Sequence, residues 1–154
     1  MINVLEIVNY GIVSLFGVLL TFSFLDIEFW KNWKYELIFA VETAGLQIIS
    51  YLLGGYELAV KIYPFTVHIP LLIFVVFYGH KPWLISVTSV LISYLCCQPR
   101  KWIGMLFLSM SDSLLVYYIV QIVVSVPLLY FVLKYVAPVF TNLLTGSKKI
   151  IYLE

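Results

Sequence analysis

Charged side chains are scarce in this chain of 154 residues: 11% are charged, 63% are hydrophobic and the mean hydropathy is +1.04. A soluble globular domain carries about 25% charged and about 45–50% apolar residues, so this composition excludes an ordinary water-soluble domain. The net charge of +1 provides neither a basic surface for nucleic acid nor an acidic surface for cationic partners. We therefore expect the lipid bilayer to be the main partner and expect no nucleic acid.

Cysteine and catalytic motifs are also sparse. The two cysteines, Cys96 and Cys97, are adjacent and cannot build a disulfide framework. The chain lacks H-E-x-x-H, G-x-S-x-G and G-x-G-x-x-G motifs, and His68 and His80 belong to no cluster with metal-ligand spacing. We expect no enzymatic activity in this chain, no metal and no cofactor.

Long apolar runs are what the sequence does contain. A membrane helix needs about 20 apolar residues to cross about 30 Å of hydrocarbon, and charged or polar clusters divide the chain into runs near that length. The sequence predicts an all-α, polytopic transmembrane helical bundle that forms a single domain over residues 1–154. The five complete predicted spans are 4–25, 37–53, 62–79, 83–97 and 114–136, and a truncated sixth is predicted from residue 150.

The orientation of the bundle in the cell membrane is predicted differently by two criteria. Assigning the basic residues to alternate connections puts Lys31, Lys34, Lys81, Lys134, Lys148 and Lys149 on one side and Lys61, Arg100 and Lys101 on the other. The positive-inside tendency would then place the N-terminus outside. The opposite orientation is implied by the family resemblance that two later stretches carry.

Two polar residues within the apolar runs are candidate functional groups, because a polar or ionisable side chain is costly in hydrocarbon. Glu42 lies five residues into the second run, where it either faces a ligand or neighbouring helix or reaches the headgroups. Gln121 forms a polar stripe with Tyr117 and Ser125 in the last run. Such a stripe either joins helices or binds a substrate.

The third run begins with an unusual polar segment, Tyr63, Pro64, His68 and Pro70. Each proline removes a backbone donor and leaves carbonyl groups that need another partner. His68 either satisfies such a carbonyl in its neutral form or belongs to a bent segment that rearranges when ligand binds. In the fourth run, Ser86, Ser89 and Ser93 share a helical face, which favours close helix packing.

Two stretches carry a family resemblance: Tyr63–Leu71, which precedes an apolar run, and Tyr94–Gly104 with its Cys-Cys-Gln-Pro-Arg-Lys segment. From about residue 30 onward, the chain resembles the N-terminal membrane region of GHKL-type sensor histidine kinases, a group common in Gram-positive bacteria and related to the accessory gene regulator quorum-sensing receptors. The resemblance implies about six membrane helices ahead of a dimerisation helix and an ATP-binding kinase domain. This sequence contains neither of those two parts. Six crossings that lead to a cytoplasmic kinase place the N-terminus inside, and we favour this orientation over the one that the basic residues predict.

The resemblance implies signal transduction in a two-component system. The chain would detect an external ligand, a peptide or another small molecule, and relay helix movement to a cytoplasmic kinase absent from it. A homodimer is expected by analogy, and the full-length protein would be a histidine kinase. Two alternatives remain open: a small substrate-binding membrane subunit of a vitamin or small-molecule importer, and a membrane interaction protein such as a toxin-immunity factor.

Overall fold

The structure, a computed structural model, describes residues 2–28 and 33–143; 91% of these are helical and none forms a strand. The prediction of an all-helical chain is therefore confirmed for the described residues. The predicted sixth run, from residue 150, lies outside them. The helices are α1 (Ile2–Phe24), α2 (Trp33–Lys61), α3 (Ile69–Phe77), α4 (Trp83–Ser111) and α5 (Leu114–Phe131).

Three helical stretches of the described chain are long and apolar enough to cross a membrane: Val4–Phe24, Leu37–Lys61 and Leu114–Leu143. They correspond to the first, second and fifth predicted runs and support association with a membrane. The third predicted run forms a shorter apolar helical stretch, Pro64–Phe77. It starts with one π-helical turn, Pro64–His68, that continues directly into α3.

Several helices end at a residue with a left-handed backbone. Asp26 follows α1 with φ 51°, and Asp112 follows α4 with φ 49°. His80, after α3, also has φ 49°. A residue in this conformation stops a helix because it turns the chain away from the helical path, and aspartate tolerates it better than most side chains. The break at Asp112 lies two residues before position 114, where the fifth predicted span begins.

Helix α2 is interrupted at a glycine pair. Gly54 has φ −148° and ψ 18°, and Gly55 has φ 68° and ψ −166°, so regular helix stops there before resuming to Lys61. The predicted second run also ended near this pair, at residue 53. A φ of 68° is accessible to glycine because it has no Cβ to clash with the backbone.

Helix α4 extends farther than the fourth predicted run. That run was predicted to end at Cys97, where the polar segment 98–101 looked like a connection, but the helix continues through Pro99 to Ser111. The physical reason is that Arg100 packs inward and is only 3% exposed, whereas the adjacent Lys101 stays exposed on the helix surface. Membrane helices tolerate an internal proline when neighbouring groups satisfy the freed backbone.

The chain divides into two compact units, each described separately. One unit contains residues 1–26 and 91–154, of which 2–26 and 91–143 are described; we call it the α1/α5 unit. Its apolar core is formed by Phe16, Leu20, Phe24, Cys97, Val132 and Ala137. Near the start of α1, Glu6 accepts a hydrogen bond from the Tyr118 hydroxyl. At the end of α1, the ring centroids of Phe24 and Phe140 are 4.9 Å apart. Because both residue numbers increase together, α1 and α5 run parallel.

Helix α4 runs antiparallel to α1 within this unit. Arg100 bonds Asn9 near the start of α1, whereas Ser93 bonds Thr21 near its end, at 2.9 Å. The residue numbers therefore change in opposite directions along the two helices. From N- to C-terminus, α1 and α5 therefore run in the same direction, and α4 runs in the opposite direction.

The second unit, residues 27–90, is the α2/α3 unit. Its two helices form an antiparallel hairpin, since Phe39 packs on Phe74 with ring centroids 5.0 Å apart and Gln47 hydrogen-bonds Thr66. The buried residues Tyr63, Val67, Leu71 and Val75 recur every four positions, which places them on one helical face.

Candidate functional site

A buried polar network joins three helices of the α1/α5 unit, and we call it the Arg100 network. It consists of Asn9 on α1, Arg100 on α4, and Gln121 and Ser125 on α5. All four residues are at most 6% exposed. The network is thus enclosed among helices that are otherwise packed with apolar side chains.

The hydrogen bonds of the Arg100 network are continuous. One guanidinium nitrogen of Arg100 donates to Asn9 Oδ1 at 3.2 Å and to Ser125 Oγ at 3.1 Å. Asn9 Nδ2 donates to Gln121 Oε1 at 3.0 Å, and Ser125 Oγ donates to the backbone oxygen of Gln121 at 2.6 Å. The acceptors of the arginine bonds are neutral oxygens, so charge-assisted hydrogen bonds hold the cation.

The depth of the network follows from its position on α1. Asn9 lies five residues after Val4, where the α1 membrane stretch begins, or about 7.5 Å into the apolar segment at about 1.5 Å per residue. A cation at this depth loses its hydration, and hydrogen bonds from the surrounding helices must replace it. The position of Arg100 thus depends on α1 and α5 as well as on its own helix.

Gly104 allows α4 and α5 to approach closely beside the network. A Cβ placed on Gly104 would lie 2.8 Å from Gln121 Cγ and 3.2 Å from Tyr117 Cδ2. The Gln121 side chain is therefore held against the backbone of α4. Glycine permits this distance, as small residues commonly do where membrane helices cross.

A second polar contact lies one helical turn from the network. The phenol of Tyr118 donates to Glu6 Oε1 at 3.0 Å and joins α5 to α1. Glu6 and Asn9 are three residues apart on α1, and Tyr118 and Gln121 are three apart on α5. The Tyr118–Glu6 hydrogen bond and the Gln121–Asn9 hydrogen bond therefore connect the parallel helices at two successive helical turns.

Some residues singled out by sequence lie in or near this site. Gln121 belongs to the Arg100 network, where it contacts other helices. Ser86, Ser89 and Ser93 are at most 1% exposed, and Ser93 accepts the Thr21 hydrogen bond. The structure therefore buries the serine face; Ser93 belongs to the α1/α5 unit, and Ser86 and Ser89 belong to the α2/α3 unit.

The segment around His68 lies in the α2/α3 unit. The rings of Tyr63 and His68 meet edge to face, with centroids 4.8 Å apart. Pro64 begins the π-helical turn, and Pro70 is in the first turn of α3. Thr66, which sequence reasoning did not select, bonds the Ile62 carbonyl at 3.2 Å and joins α2 through Gln47.

Glu42 is exposed on α2 and lies in the α2/α3 unit, whereas Gln121 lies in the α1/α5 unit. The structure therefore does not bring these two predicted residues into one compact unit. Exposed apolar side chains surround Glu42 on its helix, including Ile38 at 61% and Val41 at 65%. The carboxylate thus lies on the outer surface of an apolar helix.

Sequence reasoning missed Asn9 and Arg100. Arg100 was assigned to a basic connection because it stands in the polar segment 98–101. A usable signal was present, because Arg100 lies seven residues after Ser93 and four before Gly104, on the same helical face. Asn9 likewise lies seven residues before the buried Phe16.

Comparisons with protein-family models, curated proteins and solved structures find no match to the chain. Among the described residues, no three His, Cys, Asp or Glu side chains are grouped so that they could hold a metal ion. The Arg100 network offers hydrogen bonds between helices, and these bonds connect α1, α4 and α5.

Proposed function

We propose that this chain is the membrane-embedded, signal-sensing region of a two-component sensor histidine kinase. The observation that carries the proposal is the Arg100 network. Arg100 and Gly104 both come from the stretch Tyr94–Gly104, which carries the family resemblance, and both contact α5. The resemblance and the interhelical joint therefore coincide in the same segment of α4.

The network suits a relay because hydrogen bonds are short and directional. The Arg100–Asn9 and Arg100–Ser125 distances, 3.2 and 3.1 Å, leave little room for a shift of one helix before a bond is lost. A displaced helix would then adopt a new set of bonds. A ligand drives this change only if it binds the two helix arrangements with different affinities.

Five membrane crossings fit the helix directions within this proposal. The proposal adds crossings by α3 and α4 to the three stretches that are long and apolar enough to cross. Helix α1 ends at one membrane face, and α4, which is antiparallel to it, would begin at that same face. The two helices between them, α2 and α3, therefore contribute an even number of crossings. Because α2 is long and apolar enough to cross, α3 must return the chain through a shorter apolar stretch, aided by tilt or local bilayer thinning.

The reading frame that encodes the chain provides the first test. A frame that continues beyond residue 154 into a dimerisation helix and an ATP-binding domain would support the proposal. A stop codon there would contradict it and favour an importer subunit or an immunity factor. An importer subunit would also retain a small molecule through purification, detectable by mass spectrometry of the denatured protein.

The second test measures signalling by the full-length gene product in liposomes. The probe is culture supernatant of the source bacterium, and a protease-treated aliquot distinguishes a peptide signal from other small molecules. We expect untreated supernatant to change autophosphorylation, Arg100→Ala to remove that change, and Lys101→Ala to retain it. A response equally large in Arg100→Ala would contradict the relay.

A further inference from the structure

Lys134 is a charged residue on the outer surface of a membrane-spanning stretch. It lies within Leu114–Leu143 and is exposed. Its ammonium group donates to the Tyr130 hydroxyl at 2.9 Å and lies 5.2 and 5.4 Å from the ring centroids of Tyr130 and Tyr135. These contacts are to neutral groups. The two tyrosines shield the ammonium group, but they carry no negative charge to compensate its positive charge.

The backbone around Lys134 is also unusual. Lys134 is the central residue of a π-helical turn, Val132–Val136, that follows α5. Such turns within helices are rare and occur frequently at functional sites. An ionisable residue in hydrocarbon is similarly a functional candidate, because it costs free energy unless it is paired.

The depth of Lys134 can be read from α1. The Thr141 hydroxyl is 3.3 Å from the backbone oxygens of both Ser23 and Phe24, so Thr141 is level with the end of α1. Asp26 and Glu28 follow immediately and mark the membrane surface there. Lys134 lies seven residues before Thr141, about 10 Å deeper at about 1.5 Å per residue.

Glu42 has the complementary charge at a similar depth. It lies five residues after Leu37, where the α2 apolar stretch begins, or about 7.5 Å below the surface by the same rise. In the sequence, the polar segment 26–36 separates the first apolar stretch from the second, so the end of one and the start of the other are measured from the same membrane face. Both charges therefore occupy one leaflet, and both lie on exposed apolar helix surfaces.

We propose that Lys134 forms an ion pair inside the bilayer with Glu42 of the partner subunit, a second copy of this chain. Opposite charge, matched depth and exposure of both side chains favour this occupant. A two-fold symmetric dimer would form the pair twice, because each copy presents both residues. The inference requires only that the chain crosses a membrane, and it stands or falls independently of the kinase proposal.

Charge reversal tests the pairing. The full chain would be labelled with donor and acceptor dyes, reconstituted in liposomes and assayed by energy transfer at several protein-to-lipid ratios. Lys134→Glu and Glu42→Lys should each raise the dimer dissociation constant at least about tenfold, since each places like charges opposite one another. The double variant Lys134→Glu/Glu42→Lys should restore dimerisation.

The matched controls are Lys101→Glu and Glu57→Lys, which reverse exposed charges on α4 and α2. Both should dimerise as the unmodified chain does. If the single reversals leave the dissociation constant unchanged, or if the double variant fails to restore it, the pairing is wrong. Because the double variant carries the same charges exchanged, a general defect from charge reversal would persist in it.

Cysteine cross-linking distinguishes a pair between copies from a pair within one chain. With Cys96 and Cys97 replaced by serine, one tagged copy would carry Lys134→Cys and a differently tagged copy Glu42→Cys. Oxidation in membranes should yield a heterodimer containing both tags, whereas Lys101→Cys with Glu42→Cys should not. A further sample would carry both cysteines in one chain. Absence of the heterodimer, together with cross-linking within the chain that carries both cysteines, would overturn the proposal, and so would absence of any cross-link.

Discussion

Removing Asn9 and Arg100 separately and together should reveal the energetic coupling of the buried network. Asn9→Ala eliminates the 3.2 Å acceptor of Arg100 and the 3.0 Å donor to Gln121. Arg100→Ala eliminates that same bond and the 3.1 Å bond to Ser125. The two substitutions therefore share one hydrogen bond, and each also removes another.

The magnitude follows from measured hydrogen bonds between membrane helices, which average about 0.6 kcal/mol and reach about 1.7 kcal/mol. Two bonds per substitution predict a loss of about 1–3 kcal/mol in the free energy of unfolding for each variant. The double variant should lose about 0.6–1.7 kcal/mol less than the sum, because the shared bond is removed only once.

Reversible unfolding of the full chain in mixed detergent micelles, followed by circular dichroism, would measure all four corners of this cycle. Lys101→Ala is the matched control for Arg100→Ala, because its side chain is exposed on the next position of α4. Its effect should stay within about 0.5 kcal/mol. Additivity of Asn9→Ala and Arg100→Ala within about 0.3 kcal/mol would refute the bonded network.

Three further predictions concern backbone packing and topology. Gly104→Ala should lower the free energy of unfolding by about 1–3 kcal/mol, because the added methyl group overpacks the contact with α5. The control Gly11→Ala has nothing within 4 Å of the added Cβ and should not be destabilised. Equal unfolding curves for the two variants would contradict close packing of α4 on α5. Gly55→Ala should lower the free energy of unfolding by about 1–3 kcal/mol, because alanine is strained at the φ of 68° found there. The control Gly45→Ala has open space around the added Cβ and should be tolerated. An unchanged unfolding curve for Gly55→Ala would contradict the kinked geometry of α2. The third prediction uses single cysteines in a Cys96→Ser/Cys97→Ser background, labelled with a membrane-impermeant maleimide. Cysteines replacing Glu28 and His80 should be labelled from one side of the membrane, and a cysteine replacing Asp112 from the other. Labelling of positions 80 and 112 from the same side would exclude the five-crossing arrangement.

The candidate site was only partly predictable. Gln121 and the serine face could be selected because a polar residue within an apolar run stands out locally. The residues adjacent to Arg100 did not identify it, since a proline and two basic residues in succession have the composition of a connection; only its helical spacing from Ser93 and Gly104 pointed to a buried face. Its burial depends on Asn9, which is 91 residues away along the chain, and on Ser125.

The sequence by itself determined that the described residues are helical and apolar enough to associate with a membrane. Run length and scarcity of charge are local properties, and the thickness of the hydrocarbon core sets the run length that a crossing helix needs. The sequence also located the interruptions near Gly54 and Asp112. Only the tertiary structure decided the parallel direction of α1 and α5 and the inward packing of Arg100. Those features arise from contacts between distant segments, and periodicity along one helix identifies a buried face without identifying the helix that covers it.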